Sequence, residues 1–259
     1  MNIQGFVLAV ATFGLVACMP DTEINADNVE TILAASSVTT DINDTVHIGV
    51  QSQASLTKSL NRLSAKALSN FYVEDKCLND TGDYQFTGEY SEVEPEFKGQ
   101  FNLAFNQCRQ PQATLDGVVA GSFSGHISEQ SLSLDYTLSG GIDIKRANHT
   151  IRVSDYSADV LLEAQYSGLT QLEWTIQYSH AGVYQYNTHA YKGRITAQTI
   201  TDVRWSFLGS DVSKVVGEVH YKDDDGNLLA VVHSENGVTV SLNDQWVRTY
   251  SHEDWLKKF

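Results

Sequence analysis

Residues 96–105 read Glu96-Phe97-Lys98-Gly99-Gln100-Phe101-Asn102-Leu103-Ala104-Phe105. Phe97, Phe101, Leu103 and Phe105 occupy odd positions, while Lys98, Gln100 and Asn102 occupy even ones. This period of two divides a β-strand into an apolar and a polar face. Upstream, Tyr84, Phe86 and Tyr90 alternate in the same way with Asp83, Gln85, Thr87 and Glu89. Downstream the alternation returns at Leu115–Phe123, Leu132–Leu138, Ile142–Ile144, Ile151–Val153, Val160–Leu162, Leu172–Tyr178, Tyr184–Tyr186, Val203–Phe207, Val215–Tyr221, Leu228–Val232 and Val238–Leu242. Roughly twelve to fourteen strands are predicted. Spacers such as Ser139-Gly140-Gly141, Arg146-Ala147-Asn148 and Asp225-Gly226 leave no room for crossover helices, so neighbouring strands should pair antiparallel. The expected fold is mainly β: one N-terminal amphipathic helix followed by an antiparallel meander, curled into a barrel-like, half-barrel or sandwich form.

That helix is predicted over Gln53–Asn70, where Leu56, Leu60, Leu63 and Ala67 form one stripe and Lys58, Arg62 and Lys66 lie off it. Residues 18–45 are rich in Asp, Asn, Thr, Ser and Ala and read as a polar tether, with a short helix possible over Val29–Ala35 behind Asp27 or Asn28 as cap. Residues 46–259 are then a single domain, since no linker composition interrupts the strands.

The net charge of -15, from 32 acidic and 17 basic side chains, opposes nucleic-acid binding. Residues 1–17 carry no charged side chain, and Phe6–Val16 is apolar over about the length of a signal-peptide core, shorter than a membrane span. It runs into Leu15-Val16-Ala17-Cys18, which resembles the lipobox of bacterial lipoproteins. The resemblance implies removal of residues 1–17, lipidation of Cys18 by acyl chains such as palmitate, and, with Met19 rather than aspartate following, attachment to the outer membrane facing the periplasm or the cell exterior. An ordinary cleaved signal peptide and an uncleaved anchor are the alternatives. With Cys18 acylated, Cys77 and Cys108 remain, an even pair that suits a disulfide in an oxidising compartment, or else two buried thiols. Cys77, Phe105-Asn106-Gln107-Cys108 and Leu115-Asp116-Gly117-Val118-Val119 together resemble a loose pattern of poorly characterised β-rich envelope proteins, which carries architecture and no chemistry.

Few groupings suggest chemistry. Asp223-Asp224-Asp225-Gly226-Asn227 lacks the ligand spacing of a calcium loop and reads as a hairpin turn. Gly121-Ser122-Phe123-Ser124-Gly125 places Phe where a nucleophile elbow needs Ser, so its serines should line a solvent face. None of the eight histidines forms a ligand pair of known spacing; no catalytic residue, metal site or cofactor is predicted. One candidate ligand surface, for sugars or peptides, is the Tyr-rich stretch with Tyr178, His180, Tyr184, Tyr186 and His189; a plain sheet face is the other reading of it. The terminal Trp255-Leu256-Lys257-Lys258-Phe259 ends in Phe as outer-membrane barrels do, but Lys257 and Lys258 break the alternation.

The expected function is that of an outer-membrane-tethered, non-catalytic interaction or structural module, partnered with the membrane through lipid and with an envelope protein or lipid ligand. A carrier of lipid or acyl chains is the alternative, since a helix followed by a curved meander is similar in layout to the periplasmic lipoprotein-carrier fold. An enzyme with a dispersed carboxylate/His site is the third possibility.

Overall fold

The computed structural model describes residues 21–36, 69–77, 81–93, 96–109, 113–128, 131–146, 149–167, 171–208 and 211–258. Twelve strands form one antiparallel sheet in which each strand pairs with its sequence neighbours: β1 (Ser69–Lys76), β2 (Asp83–Val93), β3 (Glu96–Arg109), β4 (Thr114–Ile127), β5 (Ser131–Arg146), β6 (His149–Ser167), β7 (Gln171–Asn187), β8 (Lys192–Leu208), β9 (Asp211–Asp223), β10 (Leu228–Ser234), β11 (Gly237–Leu242) and β12 (Trp246–Tyr250). Two short helices complete the description, α1 (Val29–Ser36) and α2 (His252–Lys258). The sheet is open, with β1 and β12 at its edges. The meander and its pairing follow the alternation. The predicted helix Gln53–Asn70 lies outside the described residues up to residue 68, and its last two residues, Ser69 and Asn70, belong to β1.

Several strands are longer than the alternation suggests. Ser139-Gly140-Gly141 is not a turn but lies inside the 16-residue β5, and Ile151–Val153 and Val160–Leu162 are parts of one 19-residue strand, β6. The cause is a row of bulges. Register shifts occur at Phe105/Cys108 in β3, Gly140/Ile142 between β5 and β6, Ser154/Ser157 between β6 and β7, Tyr178/Ala181 between β7 and β8, and Thr199/Thr201 and Thr201/Arg204 between β8 and β9. Along the same row the backbone turns left-handed at Gln107, Gly117, Gly140, Asp155 and Gly217. A bulge bends its strand and increases local twist, and bulges aligned across adjacent strands bend the whole sheet. The apolar face is thereby made concave.

The first two long strands meet through a second device. Phe97 pairs with Gly125, Gly99 with Phe123 and Phe101 with Gly121. Each phenylalanine ring covers the glycine opposite: a Cβ on Gly125 would lie 2.1 Å from Phe97 Cζ, and one on Gly99 2.6 Å from Phe123 Cζ. Glycine loses strand propensity, and an aromatic ring laid over it restores the buried area. Ser122 and Ser124 face solvent between these pairs, as the alternation requires.

The concave face is filled partly by the chain's own N-terminal segment. Residues 21–36, whose composition reads as tether, are pinned into the fold. Asp21 forms a parallel bridge with Tyr191, its N–H donating to Ala190 O at 3.2 Å and its carbonyl accepting from Lys192 N at 2.7 Å. Ile24, Val29, Ile32 and Leu33 are buried in the same core as the inward side chains of β3 to β12. Four apolar residues suffice here because they all fall on one side of a loop and a two-turn helix. Asn28 precedes α1 and is itself buried, its Oδ1 accepting from Asn25 N and its Nδ2 donating to Glu23 O.

At the other terminus α2 starts at a reciprocal cap, with Asp254 N donating to Ser251 Oγ and Ser251 Oγ donating to Asp254 Oδ2. The two helices meet at Glu30, whose carboxylate accepts from Lys258 Nζ at 2.6 Å, from Arg248 and from Tyr250 Oη at 3.4 Å. The Lys258 hydrogen bond, together with the charges of Lys258 and Arg248, lowers the Glu30 pKa below its ordinary value against the opposing effect of burial. Cys77 and Cys108 form a disulfide, tying the end of β1 across β2 to the bulge in β3.

Candidate functional site

The predicted ligand surface is divided by the bend of β7. Tyr178, His180, Tyr184 and Tyr186 all lie in this strand, while His189 sits in the exposed turn that follows it. Tyr184 and Tyr186 are fully buried, and Tyr186 Oη donates to Ile32 O of α1 at 3.2 Å. Tyr178 and His180 are half-buried above them. Burial, followed by the fields of Tyr221 and Tyr191, raises the Tyr186 pKa, so its hydroxyl stays protonated as the donor to α1.

His180 stands at the bulge of β7, where its N–H leaves the ladder and donates to Thr199 Oγ1 at 2.8 Å. Its ring lies 6.2 Å from that of Tyr178, and its Nε2 has no hydrogen-bond partner. Burial alone lowers its pKa to about 4.

Beyond His180 the wall is aromatic. Trp174 stacks on Phe207 at 3.8 Å, Phe207 lies beside Trp205 at 6.3 Å, and Trp205 meets the edges of His233 at 5.6 Å and His252 at 5.7 Å. Trp255 of α2 closes the row against His233 and Tyr250. His233 is only 4 % exposed, and its Nδ1 has no hydrogen-bond partner. The alternation marks Trp174, Trp205 and Phe207 only as inward strand positions, whereas Tyr178 is one of the candidate ligand-surface residues. The helix α2 is not predicted; a signal that could have found it is the cap spacing of Ser251 and Asp254.

This box makes stability depend on pH. Burial first, and the nearby His252 second, lower the His233 pKa to about 4. Of the charged groups on the adjoining elements, Glu218 is engaged with His220, Lys257 with Glu253, Asp254 with Ser251, and Lys258 and Arg248 with Glu30, while Arg204, Lys214 and Glu235 are exposed. The unfolded chain takes up the His233 proton near pH 6.5, whereas the folded chain resists it to about 4. Stability is therefore full above pH 6.5 and falls as pH drops towards 4, by on the order of 3 kcal/mol from His233. Urea unfolding between pH 7 and 4 should show this slope, and a His233→Phe variant should lose a large part of it.

The opposite face carries a groove of mixed polar and apolar lining over β2 to β6. Two adjoining cavities, of about 650 Å³ and 380 Å³, share Ser91, Lys98, Ser124 and Asp135. Glu96 and His126 border the first and Gln100, Ser122 and Thr137 the second, and Ser122 and Thr137 hydroxyls are 3.0 Å apart. Hydroxyls, an amide, carboxylates and one lysine share this lining with Phe97, Phe123, Tyr136 and Leu161, which suits a partner offering both hydrogen-bonding and apolar groups. The groove was not predicted, because its polar residues are the ordinary polar half of each alternating strand.

Asp223, in the predicted hairpin turn, is buried and has a structural part. Its Oδ2 accepts from Ile24 N at 2.9 Å and from Asn227 Nδ2, and its Oδ1 accepts from Asn227 N at 2.8 Å. Among the described residues no group of three or more His, Cys, Asp or Glu is arranged to hold a metal, and no helix is long and apolar enough to cross a membrane. Cys18 lies outside the described residues. Comparison with protein-family models, curated proteins and solved structures finds no match.

Proposed function

We propose that this chain is a lipid-anchored, non-catalytic module of the bacterial outer membrane that presents the outside of its sheet to an envelope partner. The observation that supports this most is the packing of Ile24, Val29, Ile32 and Leu33 into the concave face, which gives that part of the face to the chain itself. The groove of mixed lining on the other face is then the surface left for a partner. The apolar segment before Cys18 and the small residues at positions 15–17 support acylation and export.

Lipid carriage is the second reading, favoured by the half-buried side chains of Leu162, Trp174, Ile176, Tyr178 and Phe207 on the concave face. A Cys18→Ser variant, exported by a conventional signal and purified without detergent, separates the two. Mass spectrometry of its organic extract is expected to find a folded protein without stoichiometric lipid. One lipid per chain would overturn the interaction module in favour of the carrier.

A further inference from the structure

The pinned N-terminus fixes more than the core. Asp21 is held at both its N–H and its carbonyl by the turn that ends in Tyr191, and Ile24 N is held by Asp223 Oδ2. From Cys18 to Asp21 is a chain of three residues, which spans at most about 11 Å even when fully extended. An acyl group on Cys18 therefore cannot lie far from the end of the sheet that carries these turns. We infer that this end of the molecule, with the 188–191 and 223–227 turns, seats directly on the bilayer surface, and that the groove points away from it; the inference rests on the lipid anchor proposed above.

The groove lies at the other end of the strands. In β5, Lys145 is near the seated end and Asp135 lines the groove, ten residues further along, or about 33 Å at the rise of a strand. The seated end carries both signs of charge, with Arg194 pairing with Asp224 at 3.2 Å and Lys192, Asp225 and Asp244 exposed. A partner of strongly anionic character is not selected by such a mixture. The fitting partner is a zwitterionic phospholipid surface, held by the acyl chains and not by charge.

The test uses the acylated protein reconstituted in phosphatidylcholine vesicles that contain a headgroup-labelled quenching lipid. Single added cysteines at two exposed positions, His189→Cys and Ser122→Cys, carry a fluorophore, and the mass of the N-terminal peptide reports acylation independently. Quenching is expected to be several-fold stronger at position 189 than at 122 and insensitive to salt. A flexible Gly/Ser insert of about twenty residues after Met19, with a span of about 25 Å, should remove the difference. Equal quenching at the two positions of an acylated, uninserted chain would overturn the orientation and leave the anchor standing. A chain without acyl mass that fails to float with the vesicles would overturn both.

Discussion

Gly121→Val should leave little folded protein, a loss of more than about 4 kcal/mol. The backbone at Gly121 is ordinary strand, so conformational strain is not the reason; space is. A Cβ there would lie 1.9 Å from Thr137 O and 2.7 Å from Phe101 Cζ. The first contact is with backbone of β5, so shrinking the ring with Phe101→Leu should not rescue the variant. Gly125 provides the contrast. Its nearest neighbour is the Phe97 ring at 2.1 Å, with Ser133 O further away at 2.7 Å. Gly125→Ala should therefore recover part of its lost stability when combined with Phe97→Leu. Chemical denaturation of the four variants reads the difference, and equal rescue at the two positions would show that the rings, not the backbone of the next strand, limit both sites.

Ile32→Asp should be nearly as damaging. Ile32 is 0 % exposed in the core, and its carbonyl receives the Tyr186 hydroxyl, so a carboxylate at this position is cut off from water, while the Arg146 guanidinium at the end of the same helix is engaged with Ala34 O at 3.4 Å. Burying an unpaired charge costs several kcal/mol, and a loss of about 4 kcal/mol corresponds to a melting temperature lower by roughly 8–16 °C for a domain of this size. Asp27→Ala, at an exposed position of the same segment, should change stability by less than about 0.5 kcal/mol. If residues 21–36 were a free tether, both substitutions would be silent.

These two positions also separate what the sequence discloses from what it hides. The alternation at Phe97–Phe105 is legible because one face of each strand is buried and the other is wet, and the hairpin at Asp225-Gly226 is legible from its turn chemistry. The bulges are not. At Asp155 the extra residue moves the buried set from odd positions, Ile151 and Val153, to even ones, Tyr156, Ala158 and Val160, and this slip in phase imitates a strand end. Ser139-Gly140-Gly141 imitates a turn for a related reason, since glycine serves a bend inside a strand as readily as a turn between two. The N-terminal segment misleads through its composition. Ile24, Val29, Ile32 and Leu33 are too few among Asp, Asn and Thr to show a period, and the partners that make them core, Asp223, Tyr186 and Tyr191, lie more than 150 residues away in the chain. The groove is invisible for a third reason: its polar residues have the identities of any solvent face, and they come together only through the register of five neighbouring strands. For the Tyr-rich stretch, residue type pointed to β7, but not to the depth of each side chain: Tyr184 and Tyr186 are fully buried, Tyr186 bonded to α1 at Ile32 O, while Tyr178 and His180 are half-buried.

The place of residues 21–36 in the core is what fills part of the concave face and makes the leash to Cys18 short. Native-state hydrogen exchange, resolved by peptide, tests this directly. The amides of Ile24, Val29 and Ile32, bonded to Asp223 Oδ2, Asn25 O and Asn28 O, are predicted to exchange on the same slow scale as those of β5 to β9. Exchange of this segment at the rate of an unstructured chain, while the strands stay protected, would contradict it.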